Sequence, residues 1–200
     1  MEDWSPMETV TLPPEKAAAV AGMVWRIDPS HSTIGFAVKH MLIATVHGHF
    51  NGFGGAIRFE GGRAVEVEAE IDAATIDTGV TKRDQHLRSA DFFDVVTYPT
   101  ISFRSTRIEP VTSRAGNRWL MVGSLTMHGV TRAVTLAVEQ TGFPELWDAD
   151  DLEFRATAKI NRKDFGMTFN LPIEGGGLVV GDEVKIILSV TASATAFAPR

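Results

Sequence analysis

The chain has 200 residues, of which 44% are hydrophobic, and it carries a formal net charge of -6. This length is sufficient for one complete hydrophobic core, so a single domain is the default expectation. The sequence has no block of Lys and Arg residues, which argues against a nucleic-acid partner. It also has no cysteine, which excludes disulfide scaffolds, thiolate metal sites and thiol nucleophiles.

Residues 1–23 differ in character from the rest of the chain. They begin with the acidic pair Glu2 and Asp3, contain Pro13 and Pro14, and include only a short apolar run. A secretory signal needs a basic start and a longer apolar stretch, and no run elsewhere approaches the roughly 20 residues that span a bilayer. We therefore expect a flexible N-terminal extension over 1–23, a folded domain over 24–195, a cytoplasmic location and no stable membrane insertion.

Most of the remaining chain alternates between apolar and polar residues with a period of two. The alternation is clearest in Ile34, Phe36 and Val38, and it recurs in segments that end near residue 190. A period of two is the signature of a half-buried β-strand. Roughly eight or more strands with turn-rich spacers are predicted, a number typical of a small closed barrel or a sandwich.

One segment, residues 78–94, has no strand alternation. Thr81 and Asp84 have the spacing of a helix capping box, and Asp84 and Arg88 have the spacing of an i,i+4 ion pair. A short helix from about residue 82 to residue 90 is predicted. The Phe92-Phe93 pair that follows is expected to close one end of the barrel as an aromatic plug.

The predicted inner face combines large and small side chains. Its aromatic members are Phe36, Phe50, Phe59, Phe103 and Phe154, and its small members are Gly48, Ala69, Ser105, Ala156 and Ala158. Small inward residues leave room for an apolar cavity. The alternative is that large and small residues interdigitate and fill the interior, and the sequence pattern leaves both possibilities open.

Several histidines are candidates for ligand or metal contacts. His47 and His49 share a strand face opposite to Phe50, which predicts an exterior position and not a metal site. His40 continues the inward series Ile34, Phe36 and Val38 at the end of its strand, near a barrel mouth. His128 lies in a turn. Either histidine would contact a ligand head group or would bond a backbone carbonyl.

The helical segment and one later turn carry further charged residues. Arg83 and His86 are available to a ligand head group if the helix borders the opening, although the pattern favours a structural role for this segment. In the turn that begins at residue 161, we expect Arg162 to pair with Asp164 and Phe165 to be buried. The sequence contains no nucleophile elbow, phosphate-binding glycine loop or dinucleotide fingerprint.

Five stretches of the sequence, taken in order, resemble the YceI family of lipid-binding proteins. These stretches are WRIDPSHSTIGFAVKH at 25–40, VHGHFNGFGG at 46–55, IDTGVTKRDQHLRSADFFDVVTYPTISFRST at 76–106, VGSLTMHGVTRAV at 122–134 and INRKDFGM at 160–167. The resemblance implies an all-β fold, an eight-stranded antiparallel lipocalin-like barrel with one short helix packed at its end or side. It also implies an elongated apolar pore and, as in many relatives, a homodimer.

The expected function is therefore binding of a long-chain amphiphilic lipid, as a carrier or storage protein and not as an enzyme. The ligand would be a polyisoprenoid, an isoprenoid quinone precursor or a fatty-acid derivative, with no cofactor, no catalytic residue and no bound metal. The alternatives are a metal-assisted enzyme that uses histidines at the barrel mouth and a structural barrel without ligand. The expected ligand-binding residues are Phe36, Val38, His40, Phe50, Phe59, Arg83, His86, Phe92, Phe93, Phe103, His128 and Phe154.

Overall fold

A computed structural model describes residues 24–41, 43–60, 63–111, 118–142, 151–172 and 179–195. These residues form one sheet of eleven antiparallel strands and one α-helix. The strands are β1 (Val24–Ile27), β2 (Thr33–His40), β3 (Ala44–Phe50), β4 (Phe53–Glu60), β5 (Arg63–Asp72), β6 (Ile76–Asp77), β7 (Thr100–Pro110), β8 (Arg118–Met127), β9 (Val130–Gly142), β10 (Asp151–Asn161) and β11 (Val180–Thr195). The helix is α1 (Thr81–Arg88), and short 3-10 turns cover Ala73–Thr75 and Arg162–Phe165.

The sheet closes on itself as an eight-stranded barrel, which confirms the predicted fold class. The strand order is β1-β4-β5-β7-β8-β9-β10-β11, and β11 pairs with β1 to complete the ring. β2 continues β1 along the wall, because both strands pair with β11, at different parts of its length. β3 pairs with β2 and in the same way continues β4. β1 with β2, and likewise β3 with β4, therefore occupy one position each in the barrel wall.

Hydrogen bonds to β11 stabilise the break between β1 and β2. The backbone amide of Asp28 donates to the carbonyl of Thr191, and the Ser32 hydroxyl accepts from the amide of Thr191 at 3.0 Å. The carboxylate of Asp28 is hydrogen-bonded to Ser30 and His31. The segment between β1 and β2 is thus bonded to the C-terminal strand β11.

The barrel has two distinct ends. The helix end is formed by α1 and the ends of β2, β3, β8, β9, β10 and β11 that lie beside it. At the opposite end, which we call the hairpin end, β4, β7 and β9 finish and β5, β8 and β10 begin. The predicted N-terminal extension, residues 1–23, lies outside the described residues and stays a prediction.

Helix α1 forms where the sequence predicts it, but the capping box is wrong. Its N-cap is Val80, which has no side-chain cap, and Asp84 instead accepts hydrogen bonds from the amide and hydroxyl of Thr78. The predicted Asp84–Arg88 pair is also wrong, because Arg88 donates to the carbonyls of Ala74 and Ile76, both at 2.6 Å. The helix is fixed to the barrel by these tertiary bonds to neighbouring loops.

Candidate ligand cavity

The interior of the barrel contains a cavity of about 650 Å³. Its walls are mainly aliphatic and aromatic side chains from all eight positions of the ring, such as Ile57, Ile101, Leu125, Leu136 and Leu188. A volume in this range is typical of small-molecule sites in proteins. Of the two sequence-based alternatives for the interior, the structure has the hollow one.

Eight of the twelve residues expected to bind a ligand line this cavity. They are Phe36, Val38, Phe50, Phe59, Phe92, Phe93, Phe103 and Phe154. Period-two alternation placed six of them on the inner face, and the plug motif placed Phe92 and Phe93. Their position in the wall is established here, and their contact with a ligand stays a prediction.

Two inward glycines explain how the interior remains open beside large aromatic side chains. A Cβ atom at Gly48 would lie 2.3 Å from Cζ of Phe36, and a Cβ atom at Gly123 would lie 2.3 Å from Cζ of Phe103. Each phenyl ring therefore lies over a glycine, against the wall of the barrel. A ring in this position leaves the central space free. A side chain in place of the glycine would push the ring away from the wall and into that space.

The aromatic plug lies beside helix α1 at the helix end. Phe93 packs edge-on against Phe50, with ring centroids 5.7 Å apart, and Phe92 packs against Phe169 at 5.4 Å. Leu87 of the helix also lines the cavity. These contacts make the helical segment an apolar floor for the cavity, in agreement with the structural interpretation of that segment.

A buried arginine, Arg162, lies in the cavity wall at the same end. Only 3% of the residue is exposed, and its guanidinium donates to the carbonyls of Met167, Phe169 and Gly181 at 2.6 to 3.0 Å. Burial lowers the pKa of this guanidinium, and Asp182, 3.4 Å away, opposes the shift. The predicted Arg162–Asp164 pair is therefore wrong, whereas Phe165 is buried as expected.

The residues expected to contact a head group, His40, Arg83, His86 and His128, do not line the cavity. His86 bonds Asp91 at 2.8 Å and packs edge-on against Phe169. Arg83 and His86 lie in helix α1, His40 ends β2 and His128 lies in the β8–β9 turn, and their predicted role in ligand binding stays a prediction.

Like His86, two others of these four residues have hydrogen-bond partners within the protein. His128 bonds the carbonyl of Phe165 through Nδ1 at 3.0 Å, and Arg83 donates to the hydroxyl and carbonyl of Thr78. His40 ends β2 opposite Ala44. The backbone-carbonyl alternative that the sequence left open thus describes His128.

His47 and His49 are exposed on β3, as their register predicts. Within the described ranges, no three His, Cys, Asp or Glu side chains lie close enough to hold a metal ion together. No helix in the same ranges combines the length and apolar character needed to cross a bilayer.

Polar residues of the cavity wall near the hairpin end were not among the predicted ligand contacts. Arg63, Thr106, Arg107 and Gln140 line the cavity there. Period-two counting from Val67 or Phe103 does not predict either arginine. The β4–β5 ladder shifts register between Arg58 and Phe59, and the β7–β8 ladder shifts register between Ser105 and Arg107, so the alternation is interrupted before each arginine.

Comparison with known proteins places this geometry among related barrels. A sequence model described as a YceI-like domain matches residues 25–192. A UPF0312 protein of Yersinia pestis is 32% identical over 179 residues, which cover 87% of this chain and 88% of that protein.

Solved structures show the same fold. BcnA of Burkholderia cenocepacia superimposes with a TM-score of 0.71 at 26% identity, over 84% of this chain and 99% of that one. A domain from Saccharophagus degradans, described as a polyisoprenoid binding domain, gives a TM-score of 0.62 over 86% of this chain and 98% of that one. Its identity is 18%, so this likeness concerns the fold alone.

Proposed function

Because this chain belongs to the YceI-like family, we propose that its barrel binds the hydrocarbon chain of an amphiphilic lipid and acts as a carrier or store, not as a catalyst. The observation that carries the proposal is the closed barrel around an apolar cavity of about 650 Å³. Burial of each methylene group contributes about 0.8 kcal/mol. A long chain therefore binds well with few polar contacts.

The shape of the wall supports a flexible chain as ligand. The floor is aromatic, the sides are mostly branched aliphatic residues, and Phe36 and Phe103 lie against the wall over glycines. We propose a polyisoprenoid, an isoprenoid quinone precursor or a fatty-acid derivative as the ligand class. The description of the Saccharophagus degradans domain as polyisoprenoid-binding agrees with the first of these. A cytoplasmic location and a homodimer remain part of the proposal.

Native mass spectrometry of protein purified without detergent tests the proposal. We expect a mass increment that corresponds to a lipid, and its identification after solvent extraction. Delipidated protein is then titrated with a fluorescent long-chain fatty acid. The proposed function would be contradicted if no lipid co-purified and the delipidated protein did not take up the probe.

A matched pair of variants on β10 locates the binding space. Ala156 is buried and lines the cavity, whereas the adjacent Thr157 is exposed on the outer face. Ala156→Leu adds three carbon atoms inside the barrel and should weaken probe binding, whereas Thr157→Leu introduces the same side chain on the outer face and should not. Equal effects of the two substitutions would place the binding site elsewhere.

A further inference from the structure

The barrel wall separates between β5 and β7 toward the hairpin end. The ladder of these strands joins residues 68–72 to residues 100–104 and ends at the pair Glu68 and Arg104. Closer to the hairpin end, β5 continues to pair with β4 and β7 continues to pair with β8. In the described part of the chain, the amide of Val67 still donates to the Ser105 hydroxyl at 2.8 Å, just beyond the last ladder pair.

The residues along this separation are exposed and also line the cavity. On the β5 edge these are Arg63 and Val65, which is 40% exposed, and on the β7 edge they are Thr106, Arg107 and Pro110. A side chain with both properties lies where the cavity meets solvent. The separation of the two strands is therefore a lateral mouth of the cavity, which we call the β5–β7 mouth.

Each edge of the β5–β7 mouth carries one arginine. Arg63 makes no ion pair with any described residue, and its ladder partner Glu60 is paired with Arg58. The Arg107 side chain is 63% exposed, and its Nε lies 3.3 Å from the Glu109 carboxylate, which is 51% exposed. An exposed pair of this kind is weak and is easily exchanged for another anion.

We propose that the β5–β7 mouth binds the anionic head group, a carboxylate or a phosphate, of the amphiphile whose chain occupies the cavity. This inference rests on the proposed function and adds the chemical class of the head group. A guanidinium offers paired N–H donors that match the oxygen geometry of both anions. The chain would extend from the two arginines into the apolar interior, and the charge would stay in contact with water.

The test compares ligands that share a chain and differ in head group. Oleic acid is paired with oleyl alcohol, and geranylgeranyl diphosphate is paired with geranylgeraniol. The affinity of each is measured for the native protein, for Arg63→Gln/Arg107→Gln, and for the control Arg26→Gln/Arg155→Gln. Arg26 and Arg155 are exposed strand residues outside the cavity wall, so the control changes the net charge equally.

We expect the Arg63→Gln/Arg107→Gln protein to lose at least about tenfold in affinity for an anionic ligand, the effect of one lost charge-assisted contact. Its affinity for the matching alcohol should change by less than about twofold, as should all affinities of the control protein. Loss confined to the acid or to the diphosphate identifies the head group. Glu109→Gln removes the competing carboxylate and should strengthen anion binding.

Two negative results have different meanings. If the native protein binds none of the four ligands, the proposed function itself fails. If the native protein binds them but the double variant loses acid and alcohol equally, or loses neither, lipid binding stands and the head-group site is refuted. Unchanged melting temperatures of both double variants establish that the comparison concerns binding and not folding.

Discussion

Gly48→Ala tests whether the phenyl rings must lie against the wall for the cavity to exist. The new Cβ atom would lie 2.3 Å from Cζ of Phe36 and 2.9 Å from Cγ2 of Thr78. Ordinary van der Waals contact begins at 3.4 Å, so the ring must retreat by 3.4 minus 2.3, or 1.1 Å. The barrel wall lies behind the ring, so the free direction is into the cavity.

This displacement has an expected cost in ligand affinity. A ring that advances 1.1 Å into the cavity removes space for about one methylene group of a bound chain, worth about 0.8 kcal/mol or about a fourfold loss of affinity. Gly123→Ala should do the same through Phe103. It should also lower the free energy of unfolding by about 1–3 kcal/mol, because its Cβ atom would meet the carbonyl oxygen of Arg104 at 2.6 Å.

The assay is displacement of a fluorescent fatty acid, combined with denaturant unfolding. Gly54→Ala is the matched control, because a Cβ atom at Gly54 has no other atom within 4 Å. This variant should keep its affinity and be as stable as the native protein or slightly more so. Full affinity of Gly48→Ala, or an equal loss of affinity in Gly54→Ala, would refute the role of the Phe36 ring position in keeping the cavity open.

Three other substitutions test separate contacts. Arg162→Leu removes the donor of one buried and two partly buried hydrogen bonds to carbonyls and should lower the free energy of unfolding by about 3 kcal/mol in denaturant titration, with Arg162→Lys in between; equal stability would contradict this. The His31–Asp28 contact raises the pKa of His31 above 6.5, so the stability it adds is full below that pH and lost as pH rises through the raised pKa. The melting temperatures of native protein and His31→Gln should differ near pH 6 and converge at alkaline pH, and a constant gap would refute the assignment. His86→Ala should lower the melting temperature, because the ring packs on Phe92 and Phe169, and should leave probe affinity within about twofold; a large loss of affinity would instead support the head-group role predicted from the sequence.

Alternation along the chain was sufficient to predict the strands and the inner face. Phe36 belongs to β2 and Phe50 to the paired strand β3, and each could be assigned to the inner face from its own segment. This works because side-chain direction in a strand depends only on parity, which is local information. The hollow interior could not be predicted in this way, because the glycine beneath Phe103 belongs to the neighbouring strand β8.

Charged residues were harder to place than apolar ones. Arg162 was expected to pair with nearby Asp164, since arginines are mostly exposed, but its acceptors lie at residues 167, 169, 181 and 182. The end of the β5–β7 ladder was likewise not visible in the sequence. A register shift near Thr106 changes the pairing of β7 with β8, and such irregularities depend on non-local contacts.

The bonds that join Ser32 to Thr191 link positions 159 residues apart. The ring therefore closes only when the first and last strands meet, and a chain growing from the ribosome has no enclosed interior until β11 has been made. Its inner face, with Phe36, Phe50 and Phe103, is open to water and to other nascent chains until then. Such long-range pairing predicts slow folding and a period in which aggregation competes with closure. A hydrophobic ligand or a chaperone present during synthesis would shorten this period of exposure and raise the yield of native barrel.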